Sequence, residues 1–236
     1  VSTGSEHSSS SLRAKFFQHK QIDKKQEELE KKPILGFDAD FLRWMLSDGS
    51  GAFFLSNRKN SDKISLKIEW IEFISYAGEI ETCMYSGGEK LEDGSIKGWR
   101  FFDSIDEILE KDILSLRQDV KLLNENIVDY AVEKALTHTI KKYGLNNDEI
   151  DWFLPHYSSE YFRDKVKDTL IKINFDIPIE KWFTNLTKKG NTGAASIFIM
   201  LDELFHSGKL RQDEKILCFI PESGRFSASY MLLTVV

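Results

Sequence analysis

Lys189-Gly190-Asn191-Thr192-Gly193-Ala194-Ala195-Ser196 is a glycine loop that presents one amide side chain and then opens an apolar helix, Ile197 to Phe205. Small residues on both sides of Asn191 describe a crowded place, where a polar side chain must reach something specific. Two readings are open. Thr192 or Asn191 could cap the helix by accepting from its first-turn N–H groups. Alternatively, Asn191 could face a ligand. A second element upstream favours the latter: Asp151-Trp152-Phe153-Leu154-Pro155-His156, a strand that ends on a histidine. A strand-end histidine and a helix-entry asparagine can converge at one end of a sheet, where α/β folds gather their ligand sites. A neutral imidazole N–H and an amide N–H aimed at one oxygen make an oxyanion hole, which stabilises a developing enolate. A backbone N–H from the turn at Ser223-Gly224 could add a third donor. The plainer alternatives are a histidine satisfied in a loop and an ordinary hairpin turn.

Bulk properties narrow the classes. The chain has 236 residues, 41% hydrophobic and 30% charged, the balance of a globular protein with room for one large or two smaller cores. A net charge of −6 disfavours a nucleic-acid binder, which carries a basic face. No apolar run approaches the roughly 18–20 residues of a membrane span, and no secretory signal is visible. Cys83 and Cys218 give no disulfide framework, so a cytoplasmic setting is expected. The five histidines lack metal-ligand spacing, and no metal site is expected.

Along the chain, residues 1–6 read as a strand end, followed by a Ser/Gly turn and a short amphipathic piece with Leu12, Phe16 and Phe17. The charge run from Gln21 to Lys32 reads as a solvated helix face or mobile loop, ended by Pro33. Phe37 to Leu55 holds Phe41, Leu42, Trp44, Met45 and Leu46, then a turn over Ser47–Gly51, then a strand over Ala52–Leu55. Lys63 to Tyr76 reads as a strand, with Ile64, Leu66, Ile68 and Trp70 alternating. Tyr85 to Gly98 reads as a loop and Phe101 to Leu123 as mainly helical. Asn126 to Tyr143 carries the clearest apolar helical stripe, with Gly144 as its stop. A helix from Ser158 or Ser159 to Ile173 has a basic flank of Arg163, Lys165 and Lys167. Strands over Lys215–Ile220 and Ser227–Val235 close an α/β layered pattern.

These motifs, in order, resemble a known family. Ile150 to His156, Gly190 to Ser196, Leu201-Asp202-Glu203, Gly208-Lys209 and Lys215-Ile216-Leu217 look like the C-terminal half of β-ketoacyl-acyl-carrier-protein synthase III. Ser47-Asp48-Gly49-Ser50-Gly51-Ala52 resembles the family's "GDGAGA" stretch, and Gly4-Ser5-Glu6 the strand before it. The resemblance implies a thiolase-like α/β layered fold: a complete C-terminal half over 57–236, with 57–124 variable, and the tail of an N-terminal half over 1–56. In that fold helices lie between two five-stranded sheets. It implies a decarboxylative Claisen condensation through a Cys-His-Asn triad, with His156 and Asn191 binding the malonyl thioester oxygen. A backbone N–H at Ser223 would serve the acyl-enzyme oxyanion. Substrates would be coenzyme A or phosphopantetheine thioesters, with no permanently bound cofactor. Expected partners are an acyl carrier protein, docked by Arg163, Lys165 or Lys167, and a second copy in a homodimer.

The departures are specific. The family's cysteine lies upstream of the Gly4-Ser5-Glu6 strand, so the resemblance places it in a segment before Val1. That segment's absence would leave strand edges unpaired and apolar faces open. The family's "QAN" after the histidine is Tyr157-Ser158-Ser159 here, and its glycine-rich turn is Pro221-Glu222-Ser223-Gly224-Arg225-Phe226, bulkier around the pocket. A different class also fits: a thiolase-fold partner subunit without catalysis. Retention of both His156 and Asn191 weighs against it.

Overall fold

The computed structural model describes residues 1–10, 12, 42 and 45–236. The charge run 21–32, Pro33, Phe16, Phe17, Phe37, Phe41 and Trp44 lie outside the described residues.

Four apolar segments pair into one sheet. They are β3 (Leu66–Ser75), β8 (Trp152–Pro155), β9 (Lys215–Glu222) and β10 (Ser227–Val235), in the order β3-β10-β9-β8. β10 runs antiparallel to both β3 and β9, and β8 runs parallel to β9 with Leu154 opposite Cys218. The fifth position beside β8 is a single bridge, Phe153 to Trp182, with the Phe183 N–H donating to the Phe153 carbonyl at 2.8 Å. Pro178 and the 3-10 turn Ile179–Lys181 leave no length for a full strand there. The five-stranded sheet implied by the family resemblance is therefore four strands and a bridge among the described residues.

Side chains alternate across this sheet with period two, and each face has its own core. Phe153, Leu217, Phe219, Ala228, Tyr230 and Leu232 point to one side. They meet α2 (Val120–Val128), α3 (Ala135–Tyr143) and α4 (Arg163–Lys172). Leu154, Ile216, Cys218, Leu233 and Val235 point to the other side, against α5 (Ser196–Phe205).

The stripe expected from Asn126 begins six residues earlier, at Val120. Asp119 sets that start, its Oδ1 accepting from the Leu122 N–H at 2.9 Å. Between α2 and α3 the helix widens into a π turn, Asp129–Lys134, and the Tyr230 hydroxyl donates to the Ala131 carbonyl there at 2.7 Å. Gly144 ends α3 in the left-handed region, φ 64°, as expected. Glu72 of β3 is buried and ties α3 down, accepting from Lys142 Nζ at 2.6 Å and the Tyr143 hydroxyl at 2.9 Å.

The intervening segment corrects two expectations. The stretch read as a loop holds a hairpin, β5 (Gly88–Lys90) with β6 (Ile96–Gly98), turned by Gly94 at φ 80°. The stretch read as mainly helical contains only α1 (Ile105–Glu110) before α2. Between those helices β7 (Arg117–Gln118) is pulled into extended pairing with β4 (Met84–Tyr85).

A two-stranded ribbon, β1 (Ser2–Glu6) and β2 (Gly49–Phe53), lies on the far side of α5. The layers therefore run α2–α4, sheet, α5, ribbon. Ser47–Gly51, expected as a turn, becomes strand from Gly49. Its glycines serve close approach instead of turning. A Cβ on Gly51 would stand 2.4 Å from Phe198 Cβ, and one on its partner Gly4 would stand 2.5 Å from the Phe198 ring. Phe53 then stacks on Phe198 at 4.4 Å between ring centroids. We expect Gly51→Ala to destabilise the fold by roughly 1–3 kcal/mol through overpacking. Gly78→Ala, where a Cβ meets open space, should stay within about 0.5 kcal/mol. Urea unfolding checks both; a Gly51→Ala protein of unchanged midpoint would mean Phe198 moves aside freely.

Candidate active site

β8 and β9 are the parallel pair, and their carboxyl ends open on one edge of the sheet. The His156 N–H still donates to the Phe219 carbonyl at 2.8 Å, so the histidine is held in strand register before the chain departs. Ser159 then starts the next helical stretch, its hydroxyl accepting from the Tyr161 N–H at 3.2 Å. The Asn191 loop arrives beside this edge. Gly190 and Gly193 both have positive φ, 78° and 47°. A Cβ on either would stand 2.3 Å from Ser47 Oγ or Glu6 Oε2 respectively, which is the crowding expected from the small residues. The Ser47 N–H donates to the Asn191 carbonyl at 2.8 Å, so the ribbon side of the fold fixes the loop.

Asn191 makes the contact of the capping reading, and it is not itself among the residues that wall the cleft described below. Its Oδ1 accepts from the Gly193 N–H at 3.2 Å, a local turn bond. Thr192 and Ser196 share a hydroxyl contact at 3.0 Å. With Oδ1 so occupied, the two amide N–H groups are the remaining hydrogen-bonding capacity of a side chain that is buried.

A small recess of about 10 Å³, roughly the room of one water, forms where the two elements meet. Its wall includes Pro155, His156 and Tyr157 from the strand end, and Gly190 and Ser196, which bracket Asn191. Asn185 adds a further wall, its Nδ2 donating to Glu203 Oε2 at 2.7 Å. His156 is half-buried, and loss of hydration lowers its pKa from the ordinary 6.5 to about 4. It is neutral near pH 7 and keeps one N–H to donate.

Ser223 stands at the end of β9, on the same sheet edge, but does not wall the His156 cleft. Its hydroxyl accepts from Gln118 Nε2 at 3.2 Å. Glu222 closes the turn with its own carboxylate, accepting from the Gly224 N–H, from the Arg225 N–H at 3.2 Å and from the Ser227 hydroxyl at 3.3 Å.

The basic flank is mostly spoken for. Arg163 faces Glu160 at 4.0 Å, and Lys167 pairs with Asp176 while donating to the Ile177 carbonyl at 2.9 Å. Lys165 donates to Asn124 Oδ1 at 2.7 Å and lies over the Tyr161 ring. Neither cysteine is a poised nucleophile. Both thiols are buried; burial pushes Cys83 up to about 12 and Cys218 higher still. Among the described residues no group of histidines, cysteines and carboxylates could hold a metal, and no helix is long and apolar enough to cross a membrane. Sequence reasoning noted Tyr157 only as a departure and did not single out Asn185. The first is flagged by its place directly after the strand-end histidine; nothing local flags the second.

The fold is shared with thiolase-fold condensing enzymes. A 3-oxoacyl-(acyl carrier protein) synthase III from Pseudomonas aeruginosa PAO1 superposes with TM-score 0.56 at 16% identity, covering 83% of this chain and 52% of that one. An OleA variant from Xanthomonas campestris superposes with TM-score 0.61 at 15% identity, covering 98% of this chain and 56% of that one. At these identities the likeness concerns the fold. In sequence, residues 140–229 match the family model "3-Oxoacyl-[acyl-carrier-protein (ACP)] synthase III C terminal". Chlamydia pneumoniae β-ketoacyl-[acyl-carrier-protein] synthase III is 37% identical over 86 residues, 36% of this chain and 24% of that protein. The Synechococcus elongatus enzyme of the same name is 29% identical over 148 residues, 59% of this chain and 42% of that protein. The chain thus spans less than half the length of these curated relatives, and it corresponds to the C-terminal portion of a synthase III-like condensing enzyme.

The low pKa of His156 has a signed consequence. Its folded value lies below 6.5, so on acidification the unfolded chain binds the proton first. Its contribution is constant above pH 6.5 and turns against the fold as pH falls from 6.5 toward 4. The ring C–H resonances should titrate with a midpoint near 4; a midpoint near 6.5 would show that the cleft is wet.

Proposed function

We propose that the chain supplies the histidine and asparagine of a decarboxylative Claisen condensation between an acyl thioester and a malonyl thioester. The observation that carries this reading is the cleft at the carboxyl ends of β8 and β9, where neutral His156 meets the loop that holds Asn191. The malonyl carbon–carboxyl bond breaks, CO₂ leaves, and its electron pair becomes the enolate. One imidazole N–H of His156 and one amide N–H of Asn191 hold the enolate oxygen. The enolate carbon then attacks the acyl thioester carbonyl, and the sulfur that carried the acyl group leaves as thiolate. A neutral histidine suits this role, because the donor must not lose its proton outright to the oxygen it stabilises.

In this reading the acyl group sits on a cysteine outside the chain, in a segment that precedes residue 1. Two observations support that. The thiols of Cys83 and Cys218 are buried and held protonated. On the α5 side of β3, Ile71 and Phe73 are 56% and 67% exposed, apolar side chains open to a further covering element. The Ser223 N–H, in the turn that follows β9, is the backbone donor for the acyl-transfer oxyanion. Coenzyme A or phosphopantetheine thioesters would be the substrates, an acyl carrier protein the partner, and a homodimer in the cytoplasm the working state. Of the three basic residues on the flank, Lys165 is the one met, among the described residues, by a neutral amide and the rings of Tyr161 and Phe162, and it is the best placed to take a carrier's acidic surface.

With the protein assayed together with any segment upstream of residue 1, His156→Ala and Asn191→Ala should each lower CO₂ release from malonyl thioester by a factor on the order of 10² or more. Circular dichroism of each variant controls for folding, since Asn191 also bonds its own turn. Release at the wild-type rate from well-folded variants would refute the assignment.

A further inference from the structure

Asn185 is the buried amide of the cleft wall, 7% exposed, and its Nδ2 donates to Glu203 Oε2 at 2.7 Å. Glu203 is half-buried on α5, about two helical turns beyond Ser196, where the Asn191 loop enters that helix. No lysine, arginine or histidine among the described residues pairs with Glu203, so the Asn185 amide is the partner that its carboxylate has there. A hydrogen bond to a carboxylate is stronger than one between neutral groups.

The main chain of Asn185 carries that anchor forward. Its carbonyl accepts from the Lys188 and Lys189 N–H groups, each at 2.9 Å, and the Leu186 carbonyl accepts from the Gly190 N–H at 2.8 Å. These bonds make one helical turn, Leu186–Lys189, which delivers the chain to Gly190 and Asn191. A turn of four residues does not hold itself in water, because fixing its dihedrals costs more than its few bonds return. Its supports are therefore external. Upstream, the Phe183 N–H is fixed on the Phe153 carbonyl; downstream, the Ser47 N–H holds the Asn191 carbonyl. Between these points Leu186 adds an apolar contact with the core on the α2–α4 side, and the Asn185–Glu203 bond is the polar tie that joins the turn to α5.

We propose that Glu203 is a positioning residue: through Asn185 it fixes the turn that sets Asn191 beside the strand ending in His156. The use made of Asn191 rests on the condensing-enzyme reading above, whereas the tie itself rests on the bond and the turn alone. Glu203 touches no substrate. It governs where the Asn191 amide stands when the enolate oxygen forms, so its removal acts on kcat and leaves KM for the malonyl thioester near the wild-type value.

The test uses the protein with any segment upstream of residue 1 and compares Glu203→Ala with Glu203→Gln. Glutamine keeps an acceptor oxygen for the Asn185 amide; alanine keeps none. The first measurement is hydrogen exchange at the Lys188, Lys189 and Gly190 amides. In Glu203→Ala these should exchange roughly tenfold to a hundredfold faster, while the amides of β9 and β10 stay protected. In Glu203→Gln they should stay within about threefold of wild type. Asn185→Ala, which removes the same bond from its other end, should repeat the alanine pattern. Unchanged exchange at the turn, or an equal rise throughout the sheet, would overturn the tie. The second measurement is CO₂ release from malonyl thioester by Glu203→Ala, alone and combined with Asn191→Ala. Alone, kcat should fall roughly tenfold; in the Asn191→Ala background the further change should be under about twofold, since the group being positioned is gone. No fall alone, or an equal fall in both backgrounds, would show that Glu203 does not act through Asn191 and would overturn the proposal. Failure of the condensing-enzyme reading shows up separately, as wild-type CO₂ release from His156→Ala, and leaves the exchange comparison unaltered.

Discussion

The close approach of the β1/β2 ribbon to α5 is the constraint on which the site depends. Gly4 and Gly51 face each other across the ribbon, and both lie where a Cβ would collide with Phe198. That contact brings Glu6 and Ser47, at the ribbon's end, against the Asn191 loop. Glu6 Oε2 crowds Gly193, and the Ser47 N–H takes the Asn191 carbonyl. The loop also needs positive φ at Gly190 and Gly193. A side chain at any of these glycines would therefore act at a distance, by pushing the asparagine away from the strand that ends in His156. Packing in the ribbon and geometry in the cleft are one problem for this chain.

The sheet supplies the other half of the arrangement. Because β8 and β9 are parallel, both end on the same edge, and their ends carry His156 and the Glu222–Phe226 turn. Alternation then sorts side chains into two dry cores, and the dryness sets the chemistry. The same desolvation that keeps His156 uncharged raises both cysteine thiols.

How much of this was legible in the sequence depends on which force decided each element. β10 was readable to the residue, Ser227 to Val235, because its two faces are buried in two cores and Tyr230 to Leu233 is a continuous apolar run at its centre. The end of α3 was readable because Gly144 is the one residue there that tolerates the left-handed cap. The His156 and Asn191 elements were readable because a polar side chain stood alone at each element's edge. The start of α2 was missed by six residues. Its apolar stripe begins faintly, and the decisive signal was a single capping carboxylate, Asp119. β2 was missed for a different reason. Glycine has two uses, turning and close approach, and the sequence Asp48-Gly49-Ser50-Gly51 cannot say which is meant until Phe198 is in place. The hairpin at 88–98 is short and half-exposed, so composition spoke for a loop while pairing made strands.

The departures from the family's sequence pattern fall around the cleft edge, and physically they point one way. In the turn after β9, Glu222 takes the N–H groups of Gly224 and Arg225 onto its own carboxylate. A glycine-rich turn would leave those donors for a ligand. Here the turn satisfies those donors itself. Beside His156, Tyr157 packs its ring into the buried cluster with Phe162 and Val166. Both departures put packed or self-satisfied groups where the family's pattern has an amide and a glycine-rich turn, so the edge of the cleft is set by rigid walls.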